Sequence, residues 1–530
     1  MAVIISDINT PLNSDDNAVI SAALKKAGIS EKNIRRCGVY KTSLDARKRN
    51  NIHKVSSVRI ELNDSAEEEA LCGRIEKCSY ARESGISPVF GKEVCKGRVA
   101  VIGFGPAGMF AALTLARYGY RPVVFERGGD IDSRVKAVDT FWNGGAFSPV
   151  SNVQFGEGGA GTFSDGKLTT RIHDPLCRYV LETFAEMGAP EEILTKAKPH
   201  IGTDKLRDVV KNIRREIISL GGEVCFETKV SDIGIKNGRA VSVTAGGNEY
   251  AVSAVVAAVG HSARDTFSML LDKGIFIEPK PFSCGARIEH SRESVNESLY
   301  GEYAGSPYLP EGEYQLSYRK GGRAVYTFCM CPGGYVVPSQ SEEGTVVTNG
   351  MSEFARNGKN SNSALVVSVS PEDFGTKPLD GVKFAENIEK SAYTAAKGYE
   401  APALTVSAFL KGGVSLSGAD VEPTYHIGVR AADFNKIFPS YITDMMKTGI
   451  SEFSKKMKCF GNGGAVLTAP ETRTSSPVRI TRGENFCALG IDGLYPCGEG
   501  AGYAGGIMSA AVDGVNCALK IIECFAPDSE

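Results

Sequence analysis

Gly103-Phe104-Gly105-Pro106-Ala107-Gly108 is the stretch of this sequence that decides the fold. It follows an apolar run, Val99-Ala100-Val101-Ile102, and it precedes helix-forming residues that stop at Gly119. Pro106 suits the first turn of a helix, where a missing N–H costs nothing. Glycines at these positions let the backbone approach a pyrophosphate, and the helix start offers it free N–H groups. The pattern therefore predicts a strand, a turn and a helix that bind a dinucleotide.

A second apolar strand supports this prediction. Pro122 to Phe125 ends at Glu126, eighteen residues after Gly108. A carboxylate there can accept hydrogen bonds from the adenosine ribose hydroxyls, and it repels a 2′-phosphate. This half-site therefore predicts FAD or NAD and argues against NADP. We also expect Arg127 and Val230 to contact the nucleotide.

A second glycine-rich stretch lies far downstream. Residues 493–500 read Gly-Leu-Tyr-Pro-Cys-Gly-Glu-Gly, and Gly505 and Gly506 precede a helical run that begins at Ile507. A strand ending in Gly498-Glu499, then a glycine turn and a helix, resembles the C-terminal FAD motif of glutathione-reductase-type flavoproteins. In that motif the acid supports the ribityl or pyrophosphate region, and the helix start faces the flavin pyrimidine.

Together the two half-sites predict one discontinuous domain that holds FAD non-covalently. Ala254 to Val259 is an apolar strand that reaches Gly260, and we expect this glycine to lie close to the dinucleotide. Gly156 to Gly161 also fits GxGxxG, but no adequate strand precedes it, so we predict a loop along the FAD. The loop residues expected to contact the cofactor are Gly159, Ala160, Gly161, Thr162, Ser164 and Lys167.

The segment from Arg98 to Cys524 resembles the uncharacterised bacterial FAD-dependent dehydrogenases, within the glutathione-reductase-type flavoprotein superfamily. The residues that carry the resemblance are Gln154–Leu168, Cys329–Gly334 and Glu471–Arg479, together with Ser43–Lys48 in the N-terminal part. This resemblance implies FAD as cofactor, but it does not supply a substrate.

Several side chains are candidates for chemistry beside a flavin, where positive groups stabilise the reduced anion or bind an anionic substrate. The catalytic candidates are Lys167, Arg171, Cys329, Cys331 and Arg473. Cys329 and Cys331 have strand spacing, so we expect both thiols on one side, as a redox pair or as structural residues. His173 and His426 are further candidates for moving a proton. The sequence predicts no metal site, because its His and Cys residues lack ligand spacing.

The composition is that of a globular protein. The chain has 530 residues, a net charge of -2 and fourteen scattered cysteines. The N-terminus lacks the pattern of a signal peptide, and no apolar run reaches the roughly 18 residues of a membrane span. We therefore expect a cytoplasmic protein without a membrane partner, and we do not expect nucleic acid as a partner.

The fold class expected is α/β, with a Rossmann-like three-layer FAD-binding domain. A ferredoxin-like α+β domain should occupy residues 1–95, and the FAD-binding domain residues 96–280 and 471–530. A β-rich substrate domain with helices is expected at 281–470. The basic stretch between Arg35 and Arg59 is either a solvated face or a docking face for an anionic partner, which leaves a protein partner possible at the N-terminal domain.

The function predicted is that of a FAD-dependent oxidoreductase, a dehydrogenase that transfers a hydride between flavin N5 and an unidentified small organic substrate. The sequence shows no separate domain for a nicotinamide, so NAD(P)H, if used, would bind transiently as a reductant. Two alternatives remain: a flavoprotein that docks RNA or protein through its basic N-terminal domain, and a non-catalytic flavin redox sensor.

Overall fold

The computed structural model describes residues 2–81 and 85–527, and it is a mixed α/β protein with several sheets. The N-terminal elements are β1 (Val3–Thr10), α1 (Asp16–Ala27), β2 (Ile34–Asp45), β3 (His53–Leu62), α2 (Ser65–Arg74) and β4 (Cys78–Tyr80). All four strands pair antiparallel, in the order β2-β3-β1-β4. α1 begins where the Asp15 side chain accepts a hydrogen bond from the Ala18 N–H, and it ends at Gly28, whose φ is 65°.

This N-terminal unit is attached to the rest of the chain through its edge strand. The Thr42 N–H donates to the Thr195 carbonyl at 2.7 Å, and the Ala197 N–H donates to the Thr42 carbonyl at 2.9 Å. The Arg49 guanidinium donates to the Ser298 carbonyl at 2.5 Å. Part of the edge of β2 is therefore covered by another segment of the same chain, which satisfies backbone groups that an edge strand leaves open.

The remaining elements fall into three stretches of the chain. The first contains β5 (Arg98–Ile102), α3 (Pro106–Arg117), β6 (Val123–Phe125), α4 (Ile131–Trp142), α5 (Leu176–Glu186), α6 (Thr203–Ser219), β7 (Glu223–Cys225), β8 (Val230–Lys236), β9 (Arg239–Ala245), β10 (Asn248–Ala257) and α7 (Arg264–Asp272). The second contains β11 (Ile277–Pro279), β12 (Phe282–Ser291), α8 (Arg292–Tyr300), β13 (Ser317–Lys320), β14 (Arg323–Cys331), β15 (Tyr335–Pro338), β16 (Thr348–Met351), β17 (Asn360–Val369), α9 (Pro371–Phe374), α10 (Asp380–Ala396), β18 (Ala401–Thr405), α11 (Val406–Lys411), β19 (Val429–Ala431), α12 (Ser440–Ser454) and β20 (Val466–Glu471). The third contains β21 (Val478–Ile480), β22 (Leu494–Pro496) and α13 (Ile507–Cys524).

A parallel sheet carries both glycine-rich stretches. Its strands follow the order β7-β6-β5-β10-β22, and β9 and β8 continue from the first half of β10 as an antiparallel meander. Val255 in β10 pairs with Ala100 in β5 on one side and with Leu494 in β22 on the other. Apart from the edge strand β7, the parallel strands are buried apolar runs, as expected of a parallel sheet covered on both faces. Because parallel strands end at the same edge, the turns after β5, β10 and β22 lie side by side.

A second sheet, also of seven strands, forms within the stretch from β12 to β20. Its order is β13-β14-β17-β12-β20-β18-β19, and all neighbours are antiparallel except β18 and β19. The two segments that connect it to the parallel sheet pair with each other, since Ile277 in β11 lies opposite Ile480 in β21. This ribbon joins the two sheets. Among the described residues, no helix is long and apolar enough to span a membrane.

Candidate functional site

Around the turn between β5 and α3, Gly103 and Gly108 occupy positions at which a side chain does not fit. Gly103 has a φ of 95°, in the left-handed region. A Cβ on Gly108 would lie 1.9 Å from the Gly103 carbonyl oxygen. Among the described side chains none caps α3 at Gly105, and its first turn carries no acidic residue. The first N–H groups of α3 are therefore available to an anion, together with the positive end of the helix dipole.

Glu126 fixes the conformation of this turn. Its buried carboxylate accepts hydrogen bonds from three backbone N–H groups: Phe104 at 2.8 Å, Gly128 at 2.9 Å and Gly156 at 3.0 Å. A carboxylate offers about four acceptor sites. Glu126 thus ties the turn after β5 to the loop that contains Gly156, and it keeps one acceptor site for a ligand hydroxyl. The sequence predicted that Glu126 contacts the ligand, but it did not predict these three backbone hydrogen bonds.

The start of α13 is the second open helix end. A Cβ on Gly505 or on Gly506 would meet no described atom within 4 Å, so both glycines border open space. In the described structure the first turn of α13 has no acidic residue, and Gly506 has no side-chain cap. The helix packs closely on α3, since a Cβ on Gly514 would lie 2.1 Å from the Ala107 carbonyl oxygen. The first turn of α3 therefore contacts α13 about two turns after the start of α13.

The loop at Gly159 to Gly161 contacts both of these helix starts. A Cβ on Gly159 would lie 2.9 Å from Gly105 Cα, and a Cβ on Gly161 would lie 3.1 Å from Ile507 Cγ1. The Gly158 N–H donates to the Phe104 carbonyl at 2.8 Å. Residues from three distant parts of the sequence thus meet at one place, above the carboxyl ends of the parallel strands.

The turn after β10 completes the site. A Cβ on Gly500 would lie 2.4 Å from the Gly260 carbonyl oxygen, so the two turns touch. His261 Nδ1 lies 3.4 Å from Glu499 Oε1, while the buried Nε2 atom has no hydrogen-bond partner among the described residues. A buried nitrogen without a partner is costly, and a ligand atom would satisfy it. Sequence reasoning missed His261, although its position directly after Gly260 was a usable signal.

A buried cluster holds Gly498 in place. The Asp513 carboxylate accepts a hydrogen bond from the Gly498 N–H at 2.7 Å and another from the Arg482 guanidinium at 2.6 Å. The sulfur atoms of Cys497 and Cys517 and a carboxylate oxygen of Asp513 lie within 4.8 Å of one another. The Arg482 cation also lies 3.7 Å from the Cys517 sulfur. The negative charge of the cluster is therefore already balanced by an arginine.

The other predicted cofactor contacts have partners within the protein. The Thr162 hydroxyl is buried and donates to the Glu157 carbonyl, and the Ser164 hydroxyl donates to the Gly161 carbonyl. Arg127 donates to Asp265 and Thr266, and its guanidinium lies 4.4 Å from the centre of the Phe155 ring. Val230 is buried at the start of β8. These side chains shape the loops of the site, and their contacts with a nucleotide remain a prediction.

Arg473 belongs to a buried ion-pair cluster that the sequence did not predict. The guanidinium is buried and donates to the Glu389 carboxylate and to the Ser341 hydroxyl. Arg264 donates to the same Glu389 carboxylate at 2.8 Å. Glu389 lies in α10, Arg264 begins α7 and Arg473 follows β20, so the cluster joins the two sheets. The charge of Arg473 is thus already paired within the protein, and its contact with a substrate stays a prediction.

Lys167 belongs to a second cluster, beside the inserted sheet. Its ammonium donates to the Met330 carbonyl and lies 3.7 Å from Glu313 and 3.9 Å from Asp165. Burial opposes its charge, but these carboxylates outweigh burial and raise the pKa of Lys167. Lys167 is thus close to the Cys329–Cys331 segment. Arg171 is exposed in the loop before α5 and is not part of this cluster.

Two family models match this chain. Residues 281–474 match "FAD-dependent protein, C-terminal domain-like", and residues 2–61 match a domain of unknown function. The fold and the site define an α/β protein with a dinucleotide-type glycine turn. The chain is 47% identical to an uncharacterised protein of Clostridium beijerinckii over 532 residues, which is 99% of each chain. It therefore belongs to the same family as that protein.

Solved structures are more distant. A glycine oxidase from Bacillus cereus is 11% identical, with 81% of this chain and 95% of that chain covered and a TM-score of 0.30. A geranylgeranyl bacteriochlorophyll reductase-like protein from Thermoplasma acidophilum is 12% identical, with 81% and 79% covered and a TM-score of 0.35.

Proposed function

We propose that this protein is a FAD-dependent oxidoreductase that binds FAD non-covalently across the starts of α3 and α13. The observation that carries the proposal is the meeting of two uncapped helix starts at the loop of Gly159 to Gly161. Such a place suits FAD, because its diphosphate is negatively charged and its flavin ring becomes negatively charged on reduction, and helix starts stabilise both charges. The match of residues 281–474 to a model of FAD-dependent proteins supports the same choice of cofactor.

The residues present fit this cofactor. Gly505 and Gly506 border open space, and the buried His261 Nε2 has no hydrogen-bond partner in the described part of the chain, so a ligand could occupy both positions. The start of α3 would hold the pyrophosphate, and Glu126 would accept a hydrogen bond from the adenosine ribose. When bound, FAD supplies two-electron chemistry, exchanging a hydride at N5 with a small organic substrate. The start of α13 would face the flavin pyrimidine, and Glu499 and His261 would orient the region between.

We further propose that different parts of the chain bind the cofactor, the substrate and a partner. The parallel sheet, residues 96–280 and 471–530, would bind FAD, and residues 281–470 would form the substrate side as an inserted domain. The N-terminal 95 residues, with their β-α-β-β-α-β order, would be a ferredoxin-like unit that serves a protein partner. NADH or NADPH would act as a transient reductant, and the cytoplasm would be the compartment.

The test of the cofactor is direct. Purified protein should show flavin absorption, and denaturation should release free FAD, because the binding is non-covalent. Protein stripped of flavin should quench the fluorescence of added FAD and reach one FAD per chain. Folded protein that stays colourless and ignores saturating FAD would contradict the proposal. Anaerobic mixing of the FAD-loaded protein with NADH or with NADPH then shows whether a nicotinamide can reduce it.

Replacing Glu126 with alanine tests the adenosine end of the site. The substitution removes the acceptor of three backbone N–H groups and one ribose contact, so the glycine turn loses its fixed shape. We expect the affinity for FAD to fall at least about tenfold, which corresponds to about 1.4 kcal/mol. Fluorescence titration measures the change. Glu400→Ala, which removes an exposed partner of Arg430, is the matched control and should bind FAD like the wild type.

A further inference from the structure

The last residues of β14 depart from regular strand geometry at Cys329. Phe328 lies opposite Ala364 in β17, but Cys331 lies opposite Asn362, so β14 has one residue more than its partner over this interval. Cys329 has a φ of 42°, in the left-handed region, which is rare for a residue with a side chain and recurs at functional sites. Regular strand spacing would hold the Cα atoms of residues 329 and 331 about 6.6 Å apart. Because of the bulge, residues 329 and 331 do not have this regular strand geometry.

The two thiols of this bulge differ in their access to solvent. Cys331 is fully buried, and its sulfur lies 3.4 Å from the Cys329 carbonyl oxygen. Cys329 is half-buried and follows Phe328, whose side chain is exposed. Cys329 is therefore the more exposed residue of the two, and Cys331 is the sheltered one.

Cations hold the backbone of the bulge in place. The Arg287 guanidinium donates to the Cys329 carbonyl at 2.8 Å, and the Lys167 ammonium donates to the Met330 carbonyl. Arg287 is itself fully buried and is held by the Glu471 carboxylate at 2.9 Å. The charged groups that surround the two thiols are Lys167, Arg287, Arg356, Asp165, Glu313 and Glu471.

The surroundings of Cys329 and Cys331 shift the pKa values of the two thiols in opposite directions. The interaction with the Cys331 thiol is the largest influence on Cys329, and with Arg287 and Lys167 it outweighs burial and lowers the pKa of Cys329 to about 6. The same interaction and burial raise the pKa of Cys331. These directions favour the thiolate, the form that acts as a nucleophile, at Cys329 and the protonated thiol at Cys331.

We propose that Cys329 and Cys331 form a redox-active dithiol that reacts with low-molecular-weight disulfides. The Cys329 thiolate attacks one sulfur of the disulfide, so a new S–S bond forms, the bond within the small molecule breaks, and one thiolate leaves. Cys331 then attacks the Cys329 sulfur and gives its proton to the second departing thiolate. The protein thiols are oxidised to a Cys329–Cys331 disulfide, and the small disulfide is reduced to two thiols.

A disulfide between Cys329 and Cys331, which are separated by one residue, should exchange readily with other thiols rather than persist as a stable crosslink. Such a disulfide is strained, and strained disulfides are easily reduced and are typical of catalytic or regulatory pairs. The exchange uses only the chain's own thiols and the small disulfide. It goes beyond the proposed function and does not require bound FAD, so the two proposals can fail separately.

The test uses 5,5′-dithiobis(2-nitrobenzoic acid), an aromatic disulfide, with the full-length protein. Trypsin cleavage after Arg323 and Arg356 gives one peptide that contains Cys329 and Cys331 and no other cysteine. In the wild type this peptide should lose two hydrogen atoms in mass and carry no adduct. In Cys331→Ser it should keep the aryl group on Cys329 and release one thiolate fewer. A wild-type peptide that stays reduced, or carries two adducts, would overturn the proposal.

The chain contains its own control pair. The sulfur atoms of Cys72 and Cys78 lie 2.9 Å apart in the N-terminal unit, but burial above all raises the pKa of Cys78 to about 12. We expect this pair to react much more slowly than Cys329 and Cys331. If both pairs oxidised at the same rate, proximity alone would explain the reaction and the proposal would fail.

The pH dependence of alkylation gives a second readout. The rate at which iodoacetamide modifies Cys329 should rise with a midpoint near pH 6, with or without FAD. Lys167→Met should move this midpoint upward, because it removes a cation that stabilises the thiolate. A wild-type midpoint in the ordinary thiol range would contradict the assignment of Cys329 as the nucleophile.

Discussion

Gly108→Ala is expected to abolish FAD retention. Its Cβ would lie 1.9 Å from the Gly103 carbonyl oxygen and 3.0 Å from the Gly103 carbonyl carbon, so the backbone of the turn must shift. Forcing extra volume into a packed site costs about 1 to 3 kcal/mol, and here the shift displaces the helix start that would hold the pyrophosphate. We expect the affinity for FAD to fall about 100-fold or more, equivalent to about 2.8 kcal/mol.

Two companion variants separate binding from folding. In Gly105→Ala the Cβ has room, with Gly159 Cα as the nearest atom at 3.7 Å, so the fold should remain while the methyl group borders the proposed pyrophosphate position. In Gly38→Ala the Cβ would meet no described atom within 4 Å, and FAD binding should match the wild type. FAD titration with circular dichroism measures all three variants. Wild-type affinity in Gly108→Ala would rule out the proposed pyrophosphate position.

Glu389→Gln is expected to produce the largest loss of stability. The Glu389 carboxylate is fully buried and accepts hydrogen bonds from Arg264, Thr472 and Arg473. Removing its charge leaves two buried arginines without their shared counter-charge, and breaking a buried ion pair costs about 3 to 5 kcal/mol. Because the cluster joins the two sheets, urea unfolding should show the inserted sheet separating at a lower denaturant concentration.

The same carboxylate predicts a pH dependence. Burial favours its neutral form, but Arg264 and Arg473 outweigh burial and lower the pKa of Glu389 to about 2, from an ordinary value of 4.5. A depressed carboxyl pKa contributes stability above the unfolded value and loses it as pH falls, here between about pH 4.5 and pH 2. The difference corresponds to about 3 kcal/mol. Glu389→Gln should lack this part of the acid sensitivity.

The control for this prediction is Glu400→Gln. Glu400 pairs with Arg430 on the surface, where both side chains are at least one third exposed. Exposed ion pairs contribute about 0 to 1 kcal/mol, so this variant should unfold close to the wild type. Equal unfolding of the two variants would show that the Glu389 cluster does not hold the sheets together.

The elements around the glycine turns could be predicted from the sequence because their requirements are local. Val99 to Ile102 is apolar on both faces, as a strand in a covered parallel sheet must be, and Gly103 and Gly108 stand where the backbone allows no side chain. The spacing also singled out Glu126, whose contact with a nucleotide stays a prediction. The mixed α/β class agrees with the sequence-based expectation.

The tertiary structure decided which side chains act together. Nothing local to Arg473 indicates that Glu389 neutralises it, and nothing local to Cys329 indicates a bulge, because the register of β14 is set by β17. His261 lies next to Glu499 because β10, which precedes it, is paired with both β5 and β22. Backbone conformation depends on neighbours in sequence, whereas the partner of a charge or thiol depends on neighbours in space. The sequence therefore determined the turns and strands, and only packing determined the clusters.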